Sequence, residues 1–308
     1  MKEKQNKKKI FVTGASGMLG TTLYKVFTEA DFQIISTDIN PLDSWTLKLD
    51  VRDKKNVKSY IKKFLPDFVF NLAALTDLEY CETHSKEAYE TNADGLRNVA
   101  LVCKEFDIPL VHISTVGVFD GKKNSPYIED DIPNPVNIYG KSKYEAEILL
   151  PKILNNYFIF RAGWMMGSGE RDKKFVKKVL DLIDAGQKTI YGLNDMLGNP
   201  TYVLDFSKAI LQMISSNDFG LYNMAGEGYC SRYDVAVKMI DFLGLKDVKV
   251  NPVSEDFFKK QFFASRPKFE VIESKKLHDR GLRLMRHWEQ ALEDYLKTYF
   301  MERYCDKR

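Results

Sequence analysis

The chain has 308 residues, of which 44% are hydrophobic and 29% charged, and its formal net charge is +3. This is the composition of a globular protein with room for a large core or two unequal domains. Its 46 basic and 43 acidic side chains are too evenly mixed for a nucleic-acid-binding surface. No apolar run reaches the roughly eighteen residues of a membrane span, and none follows the lysine-rich start "MKEKQNKKK" as in a signal peptide. We therefore expect a cytoplasmic protein with a frayed basic tail and with neither membrane nor nucleic acid as partner.

The cysteines are also informative about compartment and metal binding. Cys81, Cys103, Cys230 and Cys305 lie far apart, without a Cys-x-x-Cys motif, and no histidine stands beside them at ligand spacing. We expect reduced thiols and no metal site.

The first half of the chain alternates between strand and helix patterns. "KIFVTGASGMLG" reads as a strand, a glycine turn and the start of a helix, and "FQIISTD" as a second strand. The runs "DFVFNLAAL" and "PLVHISTVGVF" are almost continuously apolar, which is typical of strands buried on both faces. Helical patterns separate them. The alternation predicts an α/β fold with a doubly wound parallel sheet of the Rossmann type and helices on both faces.

The second half is less regular. After the helix "KSKYEAEILLPKIL" and the strand "NYFIFRAGWMM", strands and helices no longer alternate regularly. We predict a dinucleotide-binding domain at residues 1–163, to which about 199–222 return, and a smaller, discontinuous C-terminal substrate domain at 164–308.

The glycine turn has the spacing G-x-x-G-x-x-G directly after the first strand. Glycines there let the backbone approach a pyrophosphate, and the helix N-terminus supplies partial positive charge. A tight turn that binds nothing is the alternative. We predict that the turn binds the cofactor through Gly14, Ser16, Gly17, Met18, Leu19 and Gly20.

Asp38 ends the second strand, eighteen residues after Gly20, where a carboxylate can accept from the ribose hydroxyls of an adenine dinucleotide. No arginine between Thr37 and Lys48 would neutralise a 2′-phosphate. NAD(H) is therefore favoured as cofactor, with NADP(H) as the alternative. Asp38 could also be an ordinary turn aspartate that binds no cofactor.

Two further stretches are candidates for cofactor contact. Asp50 and Val51 come where a third segment could flank the adenine. Leu72, Ala73 and Ala74, in "NLAAL", place small side chains at a strand end where a cofactor could pass close to the backbone. Either stretch alone could serve packing.

The segment "NPVNIYGKSKYEAE" places Tyr139 and Lys143 four residues apart at the start of a predicted helix, so that they share one face. A nearby ammonium is expected to lower the phenol pKa from about 10 and to make Tyr139 a general acid or base. Thr115, at the end of "LVHIST", could direct a hydroxyl at the same substrate oxygen. A chance pair on a solvated helix and an ordinary threonine cap are the alternatives.

The glycine turn, "NLAAL", "HIST" and "YGKSK" occur in an order and spacing that resemble the extended short-chain dehydrogenase/reductases. More narrowly, "STVGVFDGKKNSPYIEDDIPNPVNIYGKSKYEAE", "FRAGWMMGSGERDKKFVKKVL", "GNPTYVLDFSKAI" and "GLYNMAGEGYCSRYDVA" resemble dTDP-4-dehydrorhamnose reductases along nearly the whole chain. The resemblance implies NAD(P)H-dependent reduction of a keto group on a nucleotide-linked deoxysugar, in polysaccharide biosynthesis.

The resemblance also implies roles for single residues. Tyr139 would be the proton donor, Lys143 would hold the nicotinamide ribose and lower the tyrosine pKa, and Thr115 would bond the reacting oxygen. Trp164 would lie against the sugar, to which an indole offers an apolar face and one donor. Val116 would lie beside the same substrate.

The chain departs from the family pattern at three places. Val116 and Gly117 stand where the reductases usually have Asp-Tyr, Leu78-Glu79 where they have Val-Asp, and Phe269 where a serine follows Arg266-Pro267. Nucleotide-sugar dehydratases, which carry Asp-Glu after the threonine, are disfavoured. An epimerase remains an alternative, as does a non-catalytic regulatory subunit that resembles the beta subunit of methionine adenosyltransferase. A homodimer is compatible with the sequence.

Overall fold

The structure, a computed structural model, describes residues 7–304. Most of the basic tail, together with Cys305, lies outside the described residues. The strands are β1 (Lys9–Thr13), β2 (Gln33–Asp38), β3 (Leu47–Lys48), β4 (Phe68–Asn71), β5 (Leu110–Thr115), β6 (Tyr157–Ala162), β7 (Trp164–Met166), β8 (Thr189–Leu193), β9 (Leu197–Gly198), β10 (Pro200–Tyr202), β11 (Gly220–Asn223), β12 (Cys230–Ser231), β13 (Lys249–Val253) and β14 (Phe269–Glu270). The α-helices are α1 (Met18–Glu29), α2 (Lys54–Phe64), α3 (Leu78–Thr83), α4 (Ser85–Tyr89), α5 (Gly95–Phe106), α6 (Ile138–Ile153), α7 (Phe175–Asp184), α8 (Val203–Met213), α9 (Arg232–Leu243), α10 (Lys275–His278), α11 (Trp288–Tyr299) and α12 (Met301–Tyr304).

Seven strands form the main sheet, in the order β11-β6-β5-β4-β1-β2-β3. Every neighbouring pair in it is parallel. The order reverses between β1 and β4, and ligands of open parallel sheets bind beyond the carboxyl ends of strands at such a point. The expected doubly wound Rossmann fold is confirmed.

The two faces of the sheet belong to different cores. Along β1, Ile10 and Val12 pack with α1 and α8, whereas Phe11 between them packs with α2, α5 and α6. This alternation follows from the two-residue period of a strand. Both sides of β1 are therefore buried, as the nearly continuous apolar run predicts.

The predicted strand "NYFIFRAGWMM" is two strands in the structure. β6 ends at Ala162, and after Gly163 the chain enters β7, which pairs with β10 outside the main sheet. A Cβ atom at position 163 would lie 2.5 Å from the backbone oxygen of Asn199, so only glycine allows this approach. Trp164 consequently opens a separate strand. The smaller sheets β7–β10, β8–β13 and β12–β9–β14 lie beyond this point.

The predicted helix "EAYETNADGLRNVALVCKEFD" is interrupted by a wider π turn at Glu90–Asp94, between α4 and α5. The helix that carries Tyr139 begins where the sequence predicts. Asn137 caps it by accepting a 2.8 Å hydrogen bond from the backbone N–H of Gly140, and such caps contribute about 1 kcal/mol.

Cys81, Cys103 and Cys230 are buried free thiols. Within residues 7–304 no group of three or more His, Cys, Asp and Glu side chains could hold a metal ion. None of the described helices combines the length and the hydropathy that crossing a membrane requires.

Candidate active site

The glycine turn joins β1 to α1 at the point where the strand order reverses. Gly14 has φ +68°, and a Cβ atom there would lie 2.7 Å from the backbone nitrogen of Ala73. A Cβ atom at Gly20 would lie 2.5 Å from the backbone oxygen of Ala15. Gly17 faces more open space, because only the oxygen of Gly14 lies within reach, at 3.4 Å. Packing thus explains Gly14 and Gly20 but not Gly17.

Gly17 is also the N-cap residue of α1, and no side chain among residues 7–304 caps that end of the helix. Backbone N–H groups of a first turn without a cap are suited to binding a phosphate. Met18 and Leu19 belong to the first turn of α1, and the Leu19 side chain is buried. The residues present therefore fit the pyrophosphate of a dinucleotide.

Asp38 lies beside this turn at the end of β2. Its Oδ2 atom accepts a hydrogen bond from the backbone N–H of Ser16 at 3.0 Å, and its Oδ1 atom accepts from that of Asn40 at 2.9 Å. The Ser16 hydroxyl in turn accepts from the N–H of Leu42. Because each carboxylate oxygen has a second lone pair, Asp38 can still accept from a ribose. That contact remains a prediction.

The other predicted cofactor residues differ in what they can offer. The Asp50 carboxylate is bonded to the Arg52 guanidinium at 2.7 Å, and this hydrogen bond lowers the pKa of Asp50. Val51 is buried against Gly95. Both side chains thus have structural partners.

Leu72, Ala73 and Ala74 follow β4 and are half-buried. The N–H of Leu72 donates to the backbone oxygen of Thr13 at 3.1 Å. This stretch therefore lies directly beside the glycine turn.

Tyr139 and Thr115 are brought together by a close approach of two backbones. A Cβ atom at Gly140 would lie 2.2 Å from the oxygen of Gly117, so glycine at 140 lets α6 start against the turn after β5. A Cβ atom at Gly117 would lie 3.4 Å from Thr115 Oγ1 and 3.7 Å from Tyr139 Cε1. The hydroxyl and the phenol thus flank one small space, which the absent side chain of Gly117 leaves open.

The pKa of Tyr139 is raised to about 12, because burial disfavours the phenolate. Thr115 opposes this shift through its hydrogen bond, and the charge of Glu270 adds to it. The net shift is therefore upward, opposite in direction to the lowering that we expected from Lys143. A helical spacing of four brings two side chains to one face but does not decide where a long side chain directs its charge.

Lys143 extends toward β5. Its ammonium donates to the backbone oxygen of Ile113 at 2.6 Å and contacts His112 Nε2 at 3.2 Å. His112 Nδ1 contacts the Asn71 amide at 3.2 Å, and Asn71 accepts from the Thr13 hydroxyl at 2.7 Å. Burial lowers the pKa of Lys143 to about 7. Burial and the neighbouring ammonium also hold the pKa of His112 well below its usual value.

Trp164 is 9% exposed and is surrounded by protein atoms. Its indole N–H donates to Glu270 Oε2 at 2.7 Å, and the Arg232 guanidinium carbon lies 3.8 Å from its ring centroid. A Cβ atom at Gly198 would lie 2.3 Å from indole Cε2. The indole N–H and a face of the ring, which we expected to contact a sugar, thus already have partners within the protein.

The structure also shows the surroundings of residues at which the chain departs from the family pattern. Val116 is buried. Glu79 forms an ion pair with Arg266, with 2.7 Å between Oε1 and Nη2. Phe269 packs against Tyr229, with 5.8 Å between ring centroids.

Sequence reasoning missed four residues of this region, namely Asn92, His112, Arg232 and Glu270. Asn92 is 1% exposed and donates to the Ser142 hydroxyl at 2.9 Å, and Ser142 donates to the Tyr139 backbone oxygen. A polar residue inside an apolar helix or strand pattern was an available signal for Asn92 and His112. No local pattern marks Arg232 or Glu270.

Comparison with known proteins agrees with this geometry. A family model described as the RmlD substrate binding domain matches residues 8–301. The spore coat polysaccharide biosynthesis protein SpsK of Bacillus subtilis is 32% identical over 94% of this chain and 97% of its own length. A dTDP-4-dehydrorhamnose reductase of Mycolicibacterium smegmatis is 31% identical over 93% of this chain and 84% of its own length.

Among solved structures, dTDP-4-dehydrorhamnose reductase of Bacillus anthracis in complex with NADP has a TM-score of 0.86 and 31% identity, covering 95% of this chain and 99% of the other. The family match spans nearly the whole chain, and it includes both the glycine turn and the Tyr139 helix. The resemblance noted in the motifs is confirmed: the chain belongs to the RmlD substrate-binding-domain family and is an NAD(P)-dependent oxidoreductase of the extended short-chain dehydrogenase/reductase type.

Proposed function

We propose that this protein reduces the keto group of a nucleotide-linked deoxysugar, an activity for which its relatives are named. The observation that carries the proposal is the small space at Gly117, flanked by the Thr115 hydroxyl and the Tyr139 phenol. It lies at the same edge of the sheet as the glycine turn, where the carboxyl ends of the strands meet.

The proton chemistry fits reduction. With a pKa of about 12, Tyr139 is protonated at neutral pH and can give its proton to the carbonyl oxygen as the substrate accepts a hydride. The Thr115 hydroxyl can bond the same oxygen and then the phenolate that remains. The reduced nicotinamide supplies the hydride when it is bound.

Lys143 is proposed to hold the nicotinamide ribose. Its ammonium is positioned by Ile113 and His112, on the strand that ends in Thr115. The glycine turn is proposed to hold the pyrophosphate together with the neighbouring "NLAAL" stretch: Gly14 shapes the turn by packing on Ala73, and Gly17 leaves the start of α1 open to the ligand. In this division, residues 1–163 with about 199–222 bind the dinucleotide and 164–308 bind the sugar.

We propose that NAD(H) is favoured over NADP(H), because the Asp38 carboxylate would repel the roughly −2 charge of a 2′-phosphate. The Bacillus anthracis relative was solved with NADP, so the test requires both cofactors. Titration of NADH and NADPH is expected to show tighter binding of NADH, and Asp38→Asn is expected to reduce the difference. Tighter binding of NADPH to the unaltered protein would contradict this.

The reaction itself is tested by Tyr139→Phe. We expect the rate of cofactor oxidation with nucleotide-linked 4-keto-6-deoxy sugars to fall by roughly 10²–10⁴, the contribution of a positioned proton donor. Cofactor affinity should barely change. Tyr144→Phe, on the same helix, is the matched control and should retain full activity.

Two outcomes would contradict the assignment. Undiminished activity of Tyr139→Phe would show that another group is the acid. A wild-type protein that binds dinucleotide but turns over no sugar in the panel would favour a regulatory subunit instead.

A further inference from the structure

Arg232, the first residue of α9, has a guanidinium group without a hydrogen-bond partner in the described part of the protein. Its guanidinium lies over the rings of Trp164 and Phe175, at 3.8 and 5.2 Å. Its side-chain nitrogens make no hydrogen bond or ion pair within residues 7–304, yet none of them is sealed in the interior. Burial lowers the pKa of Arg232 to about 10, so the group is cationic at neutral pH. All five guanidinium N–H donors thus remain available.

Arg266 provides a contrast within the same region. Its guanidinium donates to the backbone oxygen of Ala264 at 2.9 Å and pairs with Glu79 at 2.7 Å. Its charge therefore has a partner inside the protein. Arg232 instead stacks on an indole, which orients a planar guanidinium without using its donors.

Glu270 has a similarly available oxygen. Its Oε2 atom accepts from the Trp164 indole, whereas its Oε1 atom accepts no hydrogen bond in the described part of the chain. Glu270 and the Arg232 guanidinium both contact the Trp164 indole, which brings the carboxyl group and the guanidinium to the same side chain. Burial raises the pKa of Glu270, and the charge of Arg232 opposes this shift.

Building on the proposed function, we propose that Arg232 and Glu270 bind the hydroxyl groups of the sugar, and that Trp164 supports this pair instead of contacting the sugar. A hydroxyl can accept from a guanidinium N–H and donate to a carboxylate oxygen, so the pair satisfies both of its roles. The site then selects a nucleotide-linked sugar that retains hydroxyl groups, over one deoxygenated at those positions. A hydrogen bond to a charged group corresponds to about 10- to 100-fold in affinity.

The test separates the sugar from its carrier. Dissociation constants are measured by calorimetry for dTDP and dTDP-glucose, and in parallel for UDP and UDP-glucose, on the full chain with bound dinucleotide. The affinity gained by adding the sugar is compared between the unaltered protein and the variants Arg232→Gln and Glu270→Gln. Each variant is expected to reduce this gain by roughly tenfold or more, up to its complete loss. Affinity for the free nucleotide and for the dinucleotide should stay within about twofold.

Two variants serve as matched controls. Arg280→Gln removes another guanidinium that lies over a ring, 5.7 Å from Tyr222, and Glu273→Gln removes a carboxylate near the same chain segment. Neither control variant should change the affinity that is gained when the sugar is added to the nucleotide. Glutamine at 270 still offers an acceptor to the Trp164 indole, so the pocket should fold, and melting temperatures verify this.

An unchanged gain in both variants would overturn the proposal. A loss of free-nucleotide affinity in Arg232→Gln would also overturn it, because the guanidinium would then bind the diphosphate. If the unaltered protein reduces a keto-sugar nucleotide while the variants keep the gain, the proposed function survives and this inference fails. A protein that binds none of the nucleotides or nucleotide sugars overturns both.

Discussion

At the glycine turn, the decisive contacts are between backbones. Gly14 approaches Ala73 and Gly20 approaches Ala15 so closely that a Cβ atom would overlap main-chain atoms. Around Trp164, by contrast, the decisive contacts are between side chains. The indole is held by a carboxylate and covered by a guanidinium that arrive from distant segments.

This difference indicates how each region can change. Backbone contacts depend on the absence of side chains and tolerate little substitution, which suits the proposed role of this turn in binding the pyrophosphate common to dinucleotides. Side-chain contacts can be exchanged residue by residue while the backbone stays in place, which suits the sugar-binding role proposed above for this region. Among the departures from the family pattern, Phe269 directly precedes Glu270, and Val116 and Gly117 directly follow Thr115.

The largest effect is expected for Gly14→Ala. The new Cβ atom would lie 2.7 Å from the backbone nitrogen of Ala73, and φ is +68°. We expect the free energy of unfolding to fall by roughly 3 kcal/mol or more in urea titrations. Gly17→Ala is the matched control, with a loss below about 1 kcal/mol but weaker dinucleotide binding. Equal losses in the two variants would break the distinction between packing and ligand glycines.

Lys143 is linked through His112 and Asn71 to the strand that precedes the glycine turn, and its contribution to stability depends on pH. In the unfolded chain its pKa is about 10.4, whereas in the folded protein it is about 7. Between these values the unfolded state binds one more proton, so wild-type stability gains about 1.4 kcal/mol per pH unit from this residue.

Lys143→Met removes this dependence. The variant is expected to be more stable than wild type at pH 6, because burying the charge is unfavourable there. Its advantage should shrink by about 1.4 kcal/mol per unit between pH 7 and pH 9. Urea unfolding at each pH measures this, with the exposed Lys141→Met as control. A difference that is constant across the range would show that the ammonium is not desolvated.

Gly198→Ala tests the proposed sugar-binding region around Trp164 by itself. A Cβ atom there would lie 2.3 Å from the Trp164 ring, and the overpacking should cost about 1–3 kcal/mol of unfolding free energy. Dinucleotide affinity should remain unchanged in fluorescence titrations, while affinity for the sugar nucleotide falls. Parallel losses of both affinities would mean that the two regions are coupled.

The smallest effect is expected for Asp50→Asn. The ion pair with Arg52 leaves about a third of each side chain exposed, at 32% and 33%, and such pairs contribute below about 1 kcal/mol. Dinucleotide affinity should change by less than about threefold, because the carboxylate is engaged by Arg52. A tenfold loss would instead place Asp50 at the adenine.

Much of the Rossmann sheet and of the glycine turn could be predicted from the sequence. Buried strands appear as continuous apolar runs, and glycines at fixed spacing mark a turn, because both signals arise from local backbone geometry. The signal for the start of the helix at Asn137 and Ile138 is equally local. The family motifs further single out Thr115, Tyr139 and Lys143 as candidate catalytic residues.

The sequence alone therefore determined the Rossmann sheet, the glycine turn and the pairing of Tyr139 with Thr115 at one edge. Only the tertiary structure decided that Lys143 extends toward His112, that Tyr139 has a raised pKa, and that Trp164 meets Glu270. These outcomes depend on side-chain directions and burial, and on contacts such as the one from residue 164 to residue 270, which are 106 positions apart. No local pattern encodes such a contact, because it forms only when the packed core brings distant segments together.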